Sequence, residues 1–162
     1  GVSGLGMMVG LFVNQSAEEV QSVLDRVPLH TLQFHGGESE AFCRQFNRPY
    51  IKAIPMSGDV NLTEAHLAYS SAAALLLDSV HAGQFGGSGQ CFDWGWVEAG
   101  LNERVILAGG LSSTNVAAAI TQVQPAAVDV SSGVEKEVGI KDAAKMKAFI
   151  EAAHAAAQDI KS

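Results

Sequence analysis

Basic residues are few in this chain. Ten lysines and arginines face 17 aspartates and glutamates across 162 residues, for a net charge of −7. They form no block anywhere, which argues against nucleic acid and anionic membranes as partners, since both select basic surfaces. A bound anion would have to be held mainly by backbone amides and helix ends. Long apolar runs are lacking too. None approaches the ~18 residues of a membrane span, and the amino end has no signal-peptide layout. Cysteine is nearly absent: Cys43 and Cys91 stand alone, with no CxxC spacing and no disulfide framework. That usage fits a reducing cytosol.

What is present is enough to build a core. Apolar residues make up 48% of the chain and charged residues 17%, the balance of a globular protein. The length suits one domain, and residues 1–162 read as a single unit with short linkers. Apolar β-type runs alternate with helix-type segments. MMVGLFV (7–13) leads into SAEEVQSVLDRV (16–27), where Ser16 and Glu19 have capping-box spacing. TLQFH (31–35) precedes ESEAFCRQF (38–46), and YIKAIPM (50–56) precedes a weaker helix at LTEAHLAYS (62–70). AALLLDSV (73–80) is followed by a glycine-rich loop and a short helix opened by Asp93. RVILAGG (104–110) leads into SSTNVAAAITQV (112–123), and AAVDVSS (126–132) into a turn and a last helix at 142–158.

Strands so uniformly apolar, separated by helices, predict parallel pairing with the helices as outer cover. A repeat of roughly 27 residues suits a (β/α)8 TIM barrel. About six of the eight units are in this chain, and the shortfall falls at the front, where GVSGLG (1–6) supplies neither strand nor helix. The first and last strands are then expected to have unpaired edges. Such a chain should self-associate, pair with a complementing segment, or rearrange its edges.

A barrel of this type carries its site at the carboxyl ends of its strands. Those ends here are His35, Ser57, Asp78, Gly109-Gly110, and the group Asp129, Ser131, Ser132 and Gly133. In ILAGGLSSTN two glycines end a buried strand, and a helix is expected within three residues, capped by Ser or Thr. Glycine lets the backbone approach a ligand, and amides at such turns hold anions. VDVSSGVE repeats the arrangement one unit later. Together the two turns read as a phosphate cradle, with plain tight turns as the alternative.

Asp78 raises a separate question, because a dry strand should not end on a carboxylate without a reason. It reads either as a pocket acid or as an acceptor for amides of the next loop. Asp129 divides between ligand contact and internal hydrogen bonding, and His35 between a pocket group and a satisfied core histidine. Lys52 reads as structural rather than as a Schiff-base nucleophile. Asp93 reads as a helix cap, with Phe92, Trp94 and Trp96 packing beside it. Cys43 reads as structural and Cys91 as incidental, and His81 has no assigned role.

These residues resemble the phosphoribosylanthranilate isomerase family of tryptophan biosynthesis. The blocks are VGLFVN (9–14), LQFHGGE (32–38), IKAI (51–54), LLLDS (75–79), GGSGQCFDW (86–94), ILAGGLSSTNV (106–116), VDVSSGVE (128–135) and GIKD (139–142). They run in order from about residue 8 to the end. The resemblance implies a (β/α)8 barrel that performs an Amadori rearrangement of N-(5-phosphoribosyl)anthranilate to 1-(2-carboxyphenylamino)-1-deoxyribulose 5-phosphate. It implies no metal and no organic cofactor. It makes Asp78 the general acid, kept partly neutral by its dry surroundings. It assigns phosphate to Gly109, Gly110, Ser131, Ser132 and Gly133, the substrate pocket to His35 and Asp129, and the active-site loop to Gly86 and Gly87.

One departure stands out. The family's general base is a cysteine in a KICG motif on the first strand, followed by a pocket arginine, and neither motif occurs here. On this reading the 162 residues alone are expected to be inactive. Two other readings compete: a non-catalytic phosphate-binding barrel fragment that self-associates or needs a complement, and a metal-dependent sugar-phosphate epimerase using His35, Asp78 and Asp129. A related indole-forming synthase would share the cradle, but its lysine–glutamate machinery is not evident.

Overall fold

Each apolar run forms a strand, and the segments between them supply the cover. A computed structural model describes residues 7–81, 84–85 and 91–161. Six strands pair in parallel: β1 (Val9–Phe12), β2 (Thr31–Phe34), β3 (Tyr50–Met56), β4 (Ala74–His81), β6 (Val105–Leu107) and β7 (Ala127–Val128). Their spatial order is their order in the chain, with β5 (Gln84–Phe85) attached antiparallel to β4. The predicted TIM-barrel-type sheet is therefore present as an incomplete barrel, and among the described residues β1 and β7 are its two ends.

Alternation along the strands divides the apolar residues between two layers. Leu32, Phe34, Leu75, Leu77 and Leu107 join the large core beneath the helices. Leu76, Ala53 and Ala108 point the other way and form a small cluster with Ile51 and Ile106. On β1 the same inward face is bare, with Leu11 62% exposed. The outer layer is packed with rings: Phe34 meets Phe42 edge-on at 5.9 Å and Phe46 stacked at 6.0 Å.

Local signals set most of the helices. In α1 (Ala17–Leu24) the capping box forms, with Ser16 Oγ accepting from the Glu19 amide and Glu19 Oε2 from the Ser16 amide. Ser39 caps α2 (Glu40–Arg44), and Asn61 caps α3 (Leu62–Ala68). Asp93 caps a short 3-10 turn at Trp94–Trp96, as expected. The helix after Gly110 differs from expectation. α4 (Val116–Val123) starts later, with Asn115 and not Ser or Thr at its cap, because Ser112 and Thr114 hydrogen-bond each other in a preceding turn. A β8 (Glu135–Glu137) and β9 (Ile140–Lys141) hairpin precedes α5 (Ala143–Lys161), where only a turn was expected. Val138 is fully exposed near its tip.

Candidate active site

Strand β4 ends on a carboxylate because alternation puts Asp78 on the inner face with Leu76, while Leu77 and Ser79 remain buried on the other side. At that face the carboxylate is not alone. His35, just beyond the end of β2, brings Nε2 to 3.2 Å from Asp78 Oδ2. Gln33, two residues back on the same face, places Nε2 3.4 Å from His35 Nδ1. An amide N–H donating to Nδ1 leaves the proton on Nε2, directed at Asp78. The side chain of Asp78 keeps 15% of its surface open to the pocket.

Asp129 follows β7 and lines the same pocket. Burial pushes its carboxyl above the usual range, and the neighbouring charge of Asp78 adds to the rise; His35 and Lys141 act against it. Asp78 is thus paired with His35 at the end of its dry strand, and burial acts against the charged form of Asp129 beside it.

The pocket holds about 790 Å³ and is lined by His35, Asp78, Gly109, Gly110, Asp129, Ser131 and Ser132, with Leu11 and Val13 at its open side. Gly109 has φ +75°, and a Cβ there would fall on the Ser79 amide nitrogen and on Asp78 Oδ1. Only glycine allows that approach. Gly133 has the same need for a different reason: its Cα faces the Leu111 carbonyl with no room for a side chain. The two turns therefore pack against each other. Gly110 and Ser132 line the pocket, while Gly133 packs behind them on the Leu111 carbonyl; the pocket-facing backbone of these turns is what an anion would meet.

Two side chains unassigned at the outset hold this geometry. Asn115 spans the first turn: Oδ1 accepts from the Ser112 amide at 2.8 Å, and Nδ2 donates to the Gly110 carbonyl at 2.9 Å. Glu38 secures the loop after His35, accepting from the Asn14 and Gly36 amides at 2.7 and 2.9 Å. Lys52 lies against it, 3.5 Å away, and also donates to the carbonyls of Gly36 and Ala53. Both side chains are 3% exposed, so Lys52 is structural, as its position in IKAI suggested.

Ser57 is exposed and does not join the pocket-lining residues. Gly86 and Gly87 lie outside the described residues. Neither cysteine lines the pocket. Cys43 is buried under α2 with its thiol pushed up to about 12 by burial, and Cys91 hydrogen-bonds to Gly110 O with its thiol likewise raised. Among the described residues no three or more His, Cys, Asp or Glu side chains converge to hold a metal, which does not favour the epimerase reading. No helix among them is long and apolar enough to cross a membrane.

Parallel strands covered by helices, with titratable groups and glycine-bearing turns gathered at their carboxyl ends, define a (β/α)-barrel enzyme. The model of the N-(5'-phosphoribosyl)anthranilate isomerase family matches residues 2–152. An isomerase of that name from Pseudomonas fluorescens is 54% identical over 144 residues, covering 89% of this chain and 69% of its own. Another from Nitrosococcus oceani is 52% identical over 143 residues, again covering 69% of its own length. The crystal structure of the Thermotoga maritima enzyme superposes with a TM-score of 0.79 at 37% identity, covering 91% of this chain and 72% of that one. A structure of such an isomerase with reduced 1-(o-carboxyphenylamino)-1-deoxyribulose 5-phosphate has a TM-score of 0.75 at 36% identity, covering 91% and 71%. The chain belongs to the N-(5'-phosphoribosyl)anthranilate isomerase family.

Proposed function

We propose that this pocket is the acid and phosphate side of an isomerase acting on N-(5'-phosphoribosyl)anthranilate in tryptophan biosynthesis. Asp78 gives its proton to the furanose ring oxygen as the C1–O bond breaks and the anthranilate nitrogen lone pair forms the C=N bond. Loss of the C2 proton to a base gives an enamine, which becomes the 2-ketone of 1-(2-carboxyphenylamino)-1-deoxyribulose 5-phosphate. The Nε2–H of His35 steadies the carboxylate that Asp78 becomes. Asp129 faces the same substrate from β7. The phosphate rests on the amides of Gly110, Ser132 and Gly133, with Gly109 providing the close approach. The supporting observation is that Asp78 and both turns line one pocket.

The resemblance places the base on a KICG cysteine, and among the described residues neither Cys43 nor Cys91 lines the pocket. We therefore read residues 1–162 as one barrel domain whose bare β1 face and open edge accept a complementing segment or a second chain. Two unpaired cysteines fit a cytoplasmic setting. The test has two parts. The 162 residues alone should give negligible turnover, and joining them to the KICG-bearing β-α units of a relative should restore it. Asp78→Asn in the restored enzyme should lower kcat by on the order of 10²- to 10⁴-fold while reduced 1-(o-carboxyphenylamino)-1-deoxyribulose 5-phosphate still binds. Retention of kcat in that variant would remove Asp78 from the acid role.

A further inference from the structure

The GIKD block carries a lysine that the chemistry above does not use. Lys141 closes β9, and its Nζ donates to the Ser131 carbonyl at 2.9 Å and to Glu135 Oε1 at 2.8 Å. The peptide joining Ser131 to Ser132 is trans, like every peptide in the described structure. Its carbonyl and its N–H therefore point in opposite directions. A cation gripping the carbonyl from behind turns the Ser132 N–H forward, and Ser132 lines the pocket. It also polarises that amide toward a stronger donor.

Charge makes the role sharper. The pocket is lined by three acidic side chains, Asp78, Asp129 and Glu135, and by no lysine or arginine among the described residues. A phosphate dianion entering such a mouth meets repulsion that neutral amides only partly offset. Lys141 stands behind the anion seat, and its charge is felt at Asp129. Glu135 sits between, compensating that same charge. Its own backbone carbonyl is held by Lys145 Nζ at 2.7 Å, so the hairpin has an anchor that does not depend on Lys141.

We propose that Lys141 is a positioning residue for the phosphate end of the substrate, orienting and polarising the Ser131–Ser132 peptide, with Glu135 as the group that attenuates it. This rests on the phosphate seat argued above and adds the source of its positive potential. A purely structural Lys141–Glu135 staple makes a different prediction. Breaking a staple from either side should disturb the seat in the same direction, whereas an attenuated cation responds with opposite signs.

The experiment measures binding of inorganic phosphate and of reduced 1-(o-carboxyphenylamino)-1-deoxyribulose 5-phosphate to the 162-residue chain by NMR titration, following the Gly110, Ser132 and Gly133 amides. The two probes separate a seat for any phosphate from one that also needs the rest of the ligand. Lys141→Met should weaken binding about threefold to fivefold, and Glu135→Gln should tighten it about twofold. Lys141→Arg should stay near the parent, and the salt dependence of affinity should flatten in Lys141→Met. Should Lys141→Met not fold, the sign of Glu135→Gln decides. Weaker binding in both Lys141→Met and Glu135→Gln, or no change in either, overturns the inference and leaves the phosphate seat standing. No binding of either probe to the parent chain overturns the seat and the inference together.

Discussion

The two ends of the pocket are built from different material. At the acid end, side chains hold side chains: Gln33 meets His35, His35 meets Asp78, and the buried Glu38–Lys52 pair fixes the loop that carries His35. At the phosphate end, backbone holds backbone, with Gly133 against the Leu111 carbonyl and Gly109 against the Ser79 amide. Proton transfer needs a group whose charge changes, so it needs a side chain. A phosphate keeps its charge throughout, so fixed N–H dipoles can meet it, with the charge of Lys141 proposed to stand behind them. The difference in chemistry becomes a difference in fragility. The acid end is exposed to loss of a partner, and the phosphate end to added volume.

The largest effect is expected from the buried pair. Lys52→Met leaves Glu38 as an uncompensated carboxylate at 3% exposure, for which about 3–5 kcal/mol of lost stability is the usual scale. Urea unfolding would measure it, and Glu38→Gln added to Lys52→Met should recover part of the loss. Equal loss in the single and double variants would mean that Lys52 acts through packing and not through its charge.

Volume is the test at the other end. Gly109→Ala combines φ +75° with a Cβ that meets the fixed Ser79 nitrogen and Asp78 Oδ1. Strain of this kind costs about 1–3 kcal/mol, and it should displace the Asp78 carboxyl from His35. Gly100→Ala is the control, since Gly100 has φ +93° but nothing within 4 Å of the added carbon. Both variants bear the backbone penalty, and only Gly109→Ala should also lose affinity for reduced 1-(o-carboxyphenylamino)-1-deoxyribulose 5-phosphate. Matching losses in the two would show that the close approach at Gly109 does not matter.

The contrast between the ends also explains what was legible before the fold was known. Asp78, His35 and Asp129 stand out because each interrupts an apolar run, and the period-two pattern assigns them to one face. The paired glycines are legible for a similar reason, as breaks in strands that are otherwise closed. Lys52 is legible as a structural lysine, but its partner Glu38 is not, because their meeting depends on how the loop after β2 lies against β3, which neither local stretch reveals. Asn115 looked like one polar residue among several in LSSTN, and which of them caps α4 is settled by the Ser112–Thr114 turn. The β8–β9 hairpin was hidden as well: EKEVGIK carries charges on exposed strands and lacks the apolar alternation that marks a buried one.

Asn115 gives the finest test of the division, because its side chain closes a turn of backbone. Its Oδ1 and Nδ2 close the Gly110–Ser112 turn, and Nδ2 also reaches Cys91 Sγ at 3.3 Å. Asn115→Ala removes both hydrogen bonds to backbone, together with the contact to Cys91 Sγ, at a cost of about 1–2 kcal/mol. Asn115→Asp keeps the acceptor for the Ser112 amide and loses the donor to Gly110 O, setting a carboxylate against that carbonyl. If the phosphate end is backbone held in shape, Asn115→Ala should weaken inorganic phosphate binding modestly and Asn115→Asp more strongly, the added charge opposing the anion. Amide shift changes in Asn115→Ala should stay between Gly110 and Ser112, leaving the ring nitrogens of His35 with the signature of the parent chain. A change of tautomer at His35 in Asn115→Ala would show that the two ends are one cooperative network, and that the contrast drawn between them is only a matter of which atoms do the holding.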